Sequence, residues 1–272
     1  MTDPSCLVLR LAGPMQSWGG HSQFNRRETL GEPTKSGVVG LLAAAQGRRR
    51  EDPIEDLVQL DLGVRTDQPG TLLRDFHTVA DLRGIGLPTA TVDAKGRQKR
   101  RPTGASQLTQ RYYLQDAVFV VAVHAPRTVL DTLVHALRQP AFPLALGRRA
   151  CPPTQPLLLT DDGSFAWHGD PLAVLARVAW QAGPSTVEKL RRKAEDPKQR
   201  RDLPRVIELP VTVDDRDGDD IRADVPTTFA PRERGFTTRR VRQAWVRLSP
   251  PYEVPAESGG APIHDPFALL GW

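Results

Sequence analysis

The sequence predicts an α+β fold in which a domain with the element order βαββαβ carries a long inserted β-arm and precedes a smaller β-rich unit. Three observations support this. Apolar segments of strand length alternate with two helical patterns in the first 150 residues. Almost no hydrophobic periodicity occurs between Val79 and Ala117, and the chain becomes Pro-rich and more charged after Gly147. The order βαββαβ is the ferredoxin-like pattern, which RRM domains share with many unrelated enzymes.

The first strand is predicted from CLVLRLAG, in which leucines alternate on one face. A helix over about 35–46 follows, because apolar residues recur there at helical spacing. Thr34 or Ser36 can cap its start, and Gly47 can end it.

Five further segments complete the domain. LDLGVRTD predicts a second strand, and TLLRDFHTV runs extended after the turn DQPG. AVFVVAV is an almost continuous apolar run, which is typical of a central strand. RTVLDTLVHALRQ is an amphipathic helix, and FPLALG predicts a short last strand.

The start of the first helix resembles a phosphate-binding loop, since Lys35 and Ser36 stand among glycines in GEPTKSG. A Walker A motif would need glycines at the positions that Thr29 and Thr34 occupy, so a nucleoside triphosphate site is not expected. Two interpretations remain: a helix N-terminus that binds another anion, or a core helix whose lysine reaches solvent along its apolar stem.

The charge of the chain is concentrated. The formal net charge is +5, and the stretch Arg74–Tyr112 alone holds eight basic and three acidic residues. Such a run is either a solvated loop or an arm that lies along a phosphate backbone. No apolar run approaches the length of a membrane span, no signal peptide begins the chain, and two cysteines give no disulfide framework. We therefore expect a cytoplasmic protein without membrane contact.

No catalytic or metal site is expected, and no cofactor. The six histidines are scattered without metal-ligand spacing, and nothing assembles a nucleophile, a base and an orienting group. His77 is the best single candidate for an acid–base group.

After the connector CPPTQP, the helix DPLAVLARVAWQ is predicted with Asp170 as its cap and Pro171 in its first turn. VEKLRRKAEDPKQRRD is expected to be exposed, RVIELPVTV and RRVRQAWVRL are predicted strands, and DDRDGDD between them is expected to be a solvated turn. The predicted organisation is a domain at 1–150 with its arm at about 80–112, a C-terminal unit at 151–249 and a Pro-rich tail at 250–272.

Five stretches, in this order, resemble the CasD family, which supplies the subunit that binds the 5′ handle of CRISPR RNA (crRNA) in the type I-E Cascade complex. They are LRLAGPMQSWGG, PTKSGVVGLLAAAQG, GVRTDQPGTLLRDFHTV, RYYLQDAVFVVAV and PLALGRRACPP. The resemblance covers about residues 1–155 and, more loosely, GFTTRRVRQAWVRL. It does not extend to the charged segment 188–202 or the tail.

The resemblance implies a fold of the RAMP superfamily, with residues 80–112 as a projecting thumb, and no catalysis. It implies contacts with the crRNA 5′ handle, the CasC backbone subunit and the CasA large subunit, and with target DNA only through the assembled complex. The open alternative is a RAMP endoribonuclease in which His77 and either Tyr112 or Tyr113 act as acid–base groups.

The resemblance also suggests which residues contact RNA, and the paired arginines among them are expected to contact phosphates. The candidates are Gln16, Ser17, Trp18, Gly19, Arg26, Arg27, Thr34, Lys35, Ser36, His77, Arg148 and Arg149. Trp18 could instead pack in the core. Within the thumb the candidates are Lys95, Arg97, Lys99, Arg100, Arg101 and Arg111.

Overall fold

The computed structural model describes residues 5–20, 25–80 and 106–252. The strands in these ranges are β1 (Ser5–Ala12), β2 (Met15–Gln16), β3 (Arg26–Arg27), β4 (Asp61–Gln68), β5 (Thr71–Ala80), β6 (Ser106–Gln115), β7 (Val118–Ala125), β8 (Leu158–Leu159), β9 (Ala166–His168), β10 (Ile207–Asp214), β11 (Asp220–Thr228) and β12 (Gly235–Leu248). The helices are α1 (Lys35–Ala45), α2 (Glu55–Val58), α3 (Arg127–Arg138), α4 (Pro171–Leu175) and α5 (Pro184–Glu195). None of these helices is long and apolar enough to cross a bilayer.

The main sheet has the strand order β11-β12-β10-β4-β7-β1-β8, and β9 also pairs with β1. Its central four strands, β4-β7-β1-β8, have the ferredoxin-like order, with α1 and α3 on one face. α4 packs on the other face. β7 is buried on both faces, which explains its continuous apolar sequence. The predicted ferredoxin-like α+β fold is confirmed.

The last strand of this pattern lies later in the chain than predicted. FPLALG is not a strand: Ala141 and Phe142 donate backbone hydrogen bonds to the carbonyls of Ala45 and Ala44 at the end of α1. The free edge of β1 is taken by β8 and β9 instead. FPLALG was predicted as a strand because it is apolar; in the structure Leu146 is buried and Leu144 packs against the core, whereas Phe142 is exposed.

The C-terminal strands extend the main sheet. β10 pairs with β4, β12 with β10, and β11 with β12, all antiparallel. The predicted division of the chain near residue 150 therefore falls within one continuous sheet. The charged stretch expected to be exposed forms α5, which is anchored by the buried Leu190. The tail beyond residue 252 lies outside the described residues.

The arm begins as a two-stranded ribbon. β5 and β6 pair antiparallel over ten residues each, from Thr71 opposite Gln115 to Ala80 opposite Ser106. On its other edge β6 pairs with β2 and, in parallel, with β3. These four strands form a second sheet at the base of the arm. The predicted thumb residues Lys95, Arg97, Lys99, Arg100 and Arg101 lie outside the described residues.

Candidate nucleic-acid interface

In the turn after β1, side chains that we expected to bind RNA form hydrogen bonds within the protein instead. Gln16 donates to the carbonyls of Leu11 and Ala117 at 2.9 and 2.7 Å, and its Oε1 accepts from Trp18 Nε1 at 3.1 Å. Ser17 Oγ donates to the Tyr112 carbonyl at 3.0 Å. All three side chains are buried, so the structure corrects their predicted role: their polar atoms are occupied within the protein.

Trp18 packs in the core rather than offering its ring to a base. Its ring lies against Gly37 of α1, where an added Cβ would come within 2.7 Å of Trp18 Cε3. The glycine of PTKSG is thus required for close packing between the helix and the turn. Gly19, in contrast, is exposed, and an added Cβ there would meet no atom of the chain. Only Gly19 of this turn stays a candidate for close backbone contact with RNA.

The start of α1 already holds an anion, which is a carboxylate of the same chain. Thr34 caps the helix by accepting from Gly37 N at 3.1 Å, and its Oγ1 lies 3.1 Å from Ser36 Oγ. The backbone N–H of Lys35 donates to Asp224 at 2.8 Å, and Lys35 Nζ donates to Asp214 at 3.0 Å. The phosphate site predicted at Thr34, Lys35 and Ser36 is therefore corrected to an internal carboxylate site.

Arg239 joins the two carboxylates into one network. Its Nε and Nη2 donate to Asp224 at 2.7 and 2.9 Å, and its Nη1 donates to Asp214. Burial alone would raise the pKa of Asp224, but its hydrogen bonds with Arg239, the charge of Arg239 and the N–H of Lys35 hold that pKa below the ordinary value of 3.8. Asp224 is therefore ionised at neutral pH, and the charge of Lys35 is balanced by this chain's own acids.

Four of the predicted RNA-contacting arginines come together at the base of the arm. Arg148 follows Gly147, whose φ is +81°, and a Cβ at Gly147 would lie 1.9 Å from the Ser17 carbonyl oxygen. From this turn Arg148 donates to the carbonyls of Tyr112, Arg27 and Glu28 at 3.2, 2.7 and 3.2 Å. It thus fastens β3 to β6.

Arg26 and Arg149 present their charges to solvent. The guanidinium of Arg26 stacks on the ring of Tyr112 at 5.3 Å from its centre and pairs with Glu28 at 2.8 Å, with 66% of its side chain exposed. Arg149 is exposed and makes no hydrogen bond or ion pair within the described ranges. Arg27 is exposed on the opposite face of β3 from Arg26, because successive residues of a strand alternate.

The arm also carries exposed residues that sequence reasoning missed. Phe76 is 64% exposed and lies on the same face of the ribbon as Arg74 and Tyr112, since Arg74 stands opposite Tyr112. Alternation within TLLRDFHTV could have revealed this pairing of an arginine and an aromatic ring on one face. The predicted Arg111 lies on the other face, opposite Asp75, and its Nε is buried without a hydrogen-bond partner.

The residues of the alternative, catalytic interpretation do not converge. His77 Nδ1 lies 4.0 Å from Asp75, on the opposite face of the ribbon from Tyr112. Tyr113 shares the face of His77 but lies four residues along the strand, about 13 Å away. Its ring is buried under Arg148, whose guanidinium is 5.0 Å from the ring centre. The described ranges contain no group of three metal-ligating side chains.

Comparison with known proteins gives one consistent result. The family model described as CRISPR-associated protein (Cas_Cas5) matches residues 6–242. The CRISPR system Cascade subunit CasD of Escherichia coli (strain K12) is 38% identical over 172 residues, which cover 57% of this chain and 70% of that protein.

Two solved structures are similar over almost the whole chain. A chain of a CRISPR RNA-guided surveillance complex is 34% identical with a TM-score of 0.66, covering 90% of this chain and 91% of that one. A structure titled Crystal structure of Cas protein is 30% identical with a TM-score of 0.61, covering 91% of this chain and all of that one. The resemblance to CasD that the five stretches indicated is confirmed, and the chain belongs to the CRISPR-associated Cas5 family.

Proposed function

We propose that this chain is a non-catalytic subunit of a CRISPR Cascade surveillance complex that binds and caps the 5′ handle of crRNA. In this role it nucleates or terminates the backbone filament of CasC subunits, contacts the large subunit CasA, and meets target DNA only through the assembled complex. The complex acts in the cytoplasm. Similarity to a Cascade subunit and to a chain of an RNA-guided surveillance complex supports this assignment.

The observation that carries the proposal is the group of arginines at the base of the arm. Arg26, Arg27 and Arg149 are exposed within one small region, and Arg148 holds that region together through three backbone carbonyls. Arginines carried on a backbone that Arg148 holds in place suit the phosphates of a folded single strand, because shape and backbone contacts dominate such recognition. Arg26 on the ring of Tyr112 gives a flat surface on which a base can stack.

The geometry of the arm supports a role without catalysis. Acid–base cleavage of RNA needs two proton-transferring groups within reach of one phosphate. His77 and Tyr112 face opposite sides of the ribbon, and Tyr113 is covered by Arg148. The endoribonuclease alternative would therefore require an arrangement different from the one described.

The test is co-expression of the chain with CasC, CasA and a repeat-spacer RNA, followed by purification of the complex and sequencing of the bound RNA. We expect guide RNA with a defined 5′ handle. Arg26→Ala with Arg149→Ala should weaken RNA binding equally across handle sequences. It should also reduce the slope of log affinity against log salt by about 1.4, which is about 0.7 for each lost phosphate contact.

The matched control is Arg49→Ala with Arg50→Ala, two exposed arginines in the turn after α1. It removes the same charge away from the arm and should leave the slope unchanged. A slope that falls equally in both variants would contradict the proposed site. Metal-independent cleavage of repeat RNA by the purified chain, abolished by His77→Ala, would establish the endoribonuclease alternative instead.

A further inference from the structure

Two segments of the chain account for a large excess of basic over acidic residues. Residues 184–205, here called the basic segment, contain eight basic and four acidic residues, an excess of four in a chain whose total excess is five. The arm stretch Arg74–Tyr112 has an excess of five, so the rest of the chain is net acidic. The arginines of the proposed handle site lie outside the basic segment and do not explain it.

The basic segment is anchored by apolar residues and turns its cations outward. Leu190 and Leu203 are buried, with 3% and 8% of their surface exposed. Lys189, Lys198 and Arg201 are exposed. The segment is thus an ordered surface with a fixed buried side.

Several of these cations are not neutralised within the protein. Arg192 pairs with Glu188 at 2.9 Å, and Arg191 donates to the Pro251 carbonyl at 3.2 Å. Four other side chains make no hydrogen bond or ion pair to any described residue. They are Lys189, Lys193, Lys198 and Arg201.

The basic segment begins at the root of the arm. Gln68, at the end of β4, accepts from Gly183 N at 3.1 Å and from Thr186 Oγ1 at 2.9 Å, at the first turn of α5. The same side chain donates to the carbonyl of Asp116, in the turn between β6 and β7. One glutamine therefore ties the start of α5 to the point where the arm returns to the main sheet.

The approach to α5 is fixed by a buried ion pair. Arg65 and Asp67 are fully buried and joined at 2.6 and 2.8 Å. Asp67 also accepts from the N–H of Gln181 at 2.6 Å, and its carbonyl accepts from Trp180 Nε1 at 2.9 Å. The basic segment therefore starts from a rigid point, which lowers the entropy lost on binding.

We propose that the basic segment is a second phosphate-binding surface, which receives the sugar–phosphate backbone of a nucleic acid that passes the root of the arm. The segment has no aromatic residue to stack on bases, so its contacts are electrostatic and independent of base sequence. The phosphodiester backbone comes either from the guide RNA or from duplex DNA. The inference goes beyond the proposed handle site and does not depend on it.

The experiment compares two sets of four substitutions in the assembled complex. The test variant carries Lys189→Gln, Lys193→Gln, Lys198→Gln and Arg201→Gln, and the control carries Arg49→Gln, Arg50→Gln, Arg127→Gln and Arg138→Gln. The probes are the repeat-spacer RNA and a DNA duplex that carries the matching target. The affinity of each probe is measured over a range of salt concentrations, and thermal melting of each variant checks its folding.

We expect the test variant to flatten the salt dependence for one probe beyond the effect of the control. Four lost contacts reduce the slope by about 2.8 on a single strand or about 3.6 on a duplex. A change with the RNA probe alone identifies guide RNA as the source, and a change with the duplex alone identifies DNA. If the wild-type complex holds no handle but the duplex slope still falls, the handle proposal fails and this one stands.

Two results would overturn the proposal. One is a slope that matches the control with both probes. The other is loss of complex assembly with unchanged slopes, which would mean that the basic segment faces an acidic protein partner. If the fourfold variant melts early, the pairs Lys189→Gln with Lys193→Gln and Lys198→Gln with Arg201→Gln are measured separately. Each pair is then expected to give half of the change.

Discussion

Replacing Asp224 by alanine should destabilise the protein without changing how it binds RNA. Asp224 accepts three hydrogen bonds, from Lys35 N at 2.8 Å and from Arg239 Nε and Nη2 at 2.7 and 2.9 Å. It connects the first turn of α1 with β11 and β12, so its loss removes a link between the C-terminal strands and the domain core. This substitution distinguishes an internal carboxylate site at α1 from an RNA phosphate site.

The expected loss of unfolding free energy depends on the charges that lose Asp224 as a partner. Removing one partner of a buried ion pair costs about 3–5 kcal/mol, because the remaining charge is desolvated and unpaired. Arg239 and Lys35 both keep Asp214 as a partner, which places the expected cost at the lower end, about 3 kcal/mol. For a chain of this size that corresponds to a melting temperature lower by about 6 °C.

The assay is thermal unfolding of Asp224→Ala, with Arg242→Ala as the control. Arg242 is on the same strand as Arg239 and pairs with Asp215 at 2.8 Å, but 53% of its side chain is exposed. Its loss should cost less than about 1 kcal/mol. If the two variants melt within a degree of each other while Asp224→Ala alone alters the salt dependence of RNA binding, the carboxylate interpretation of the α1 start is refuted.

The same network predicts a pH dependence. The folded-state pKa of Asp224 is below the ordinary value of 3.8, so its contribution to stability is complete above that value and is lost as pH falls through the folded pKa. The difference in unfolding free energy between the wild type and Asp224→Ala should therefore be constant from pH 7 to 5 and shrink below about pH 4. A difference that grows on acidification would contradict this sign.

Further predictions concern the base of the arm, the buried thiols and the arm itself. Arg148→Ala should lower the free energy of unfolding by about 1–3 kcal/mol and increase hydrogen exchange in β6. Arg149→Ala should change only the salt dependence of RNA binding. If Arg149→Ala destabilised the protein and Arg148→Ala changed only the salt dependence, the structural role would belong to Arg149. Gly147→Ala should cost more than about 2 kcal/mol, because it adds a Cβ at positive φ against the Ser17 carbonyl, and Gly19→Ala should melt like the wild type. Burial raises the pKa of Cys6 to about 12, so a thiol reagent at pH 8 should label it only after unfolding, and rapid labelling would show that β1 opens. Replacing residues 81–105 by a short Gly-Ser linker should leave the melting temperature unchanged but prevent assembly of a guide-loaded complex. Normal assembly would show that the arm is not needed for the proposed function.

Hydrophobic periodicity predicted the helices and strands that have a buried apolar face. β1, β4, β7, α1 and α3 were all expected within a few residues, because each has a buried face or is buried throughout. FPLALG failed because an apolar run shows burial but not the direction of its backbone hydrogen bonds. α5 was missed because its charges outnumber its apolar residues, although Val187, Leu190 and Ala194 follow helical spacing after Pro184.

The candidate site was predictable only for side chains that point away from the protein. Arg26 and Arg149 were expected to contact RNA; both are exposed, and the contact itself stays a prediction. Lys35 was not assignable from sequence, because its carboxylate partners Asp214 and Asp224 are 179 and 189 residues away along the chain. A lysine beside a helix start has the same local sequence whether it meets a phosphate or a distant aspartate.

The glycines of the two motifs explain why resemblance and geometry diverge. Gly37 lets α1 approach Trp18, and Gly147 lets the Arg148 turn approach the Ser17 carbonyl. Both positions therefore serve the packing of the turn after β1 against its neighbours. The same turn contains β2, which pairs with β6. The carbonyl of Trp18 in this turn accepts a hydrogen bond from Leu30 N and so positions the segment that carries β3. The motif that resembles a phosphate-binding loop therefore has a structural role: it supports the segments from which Arg26, Arg27 and Arg149, the arginines that we propose to bind RNA, reach solvent.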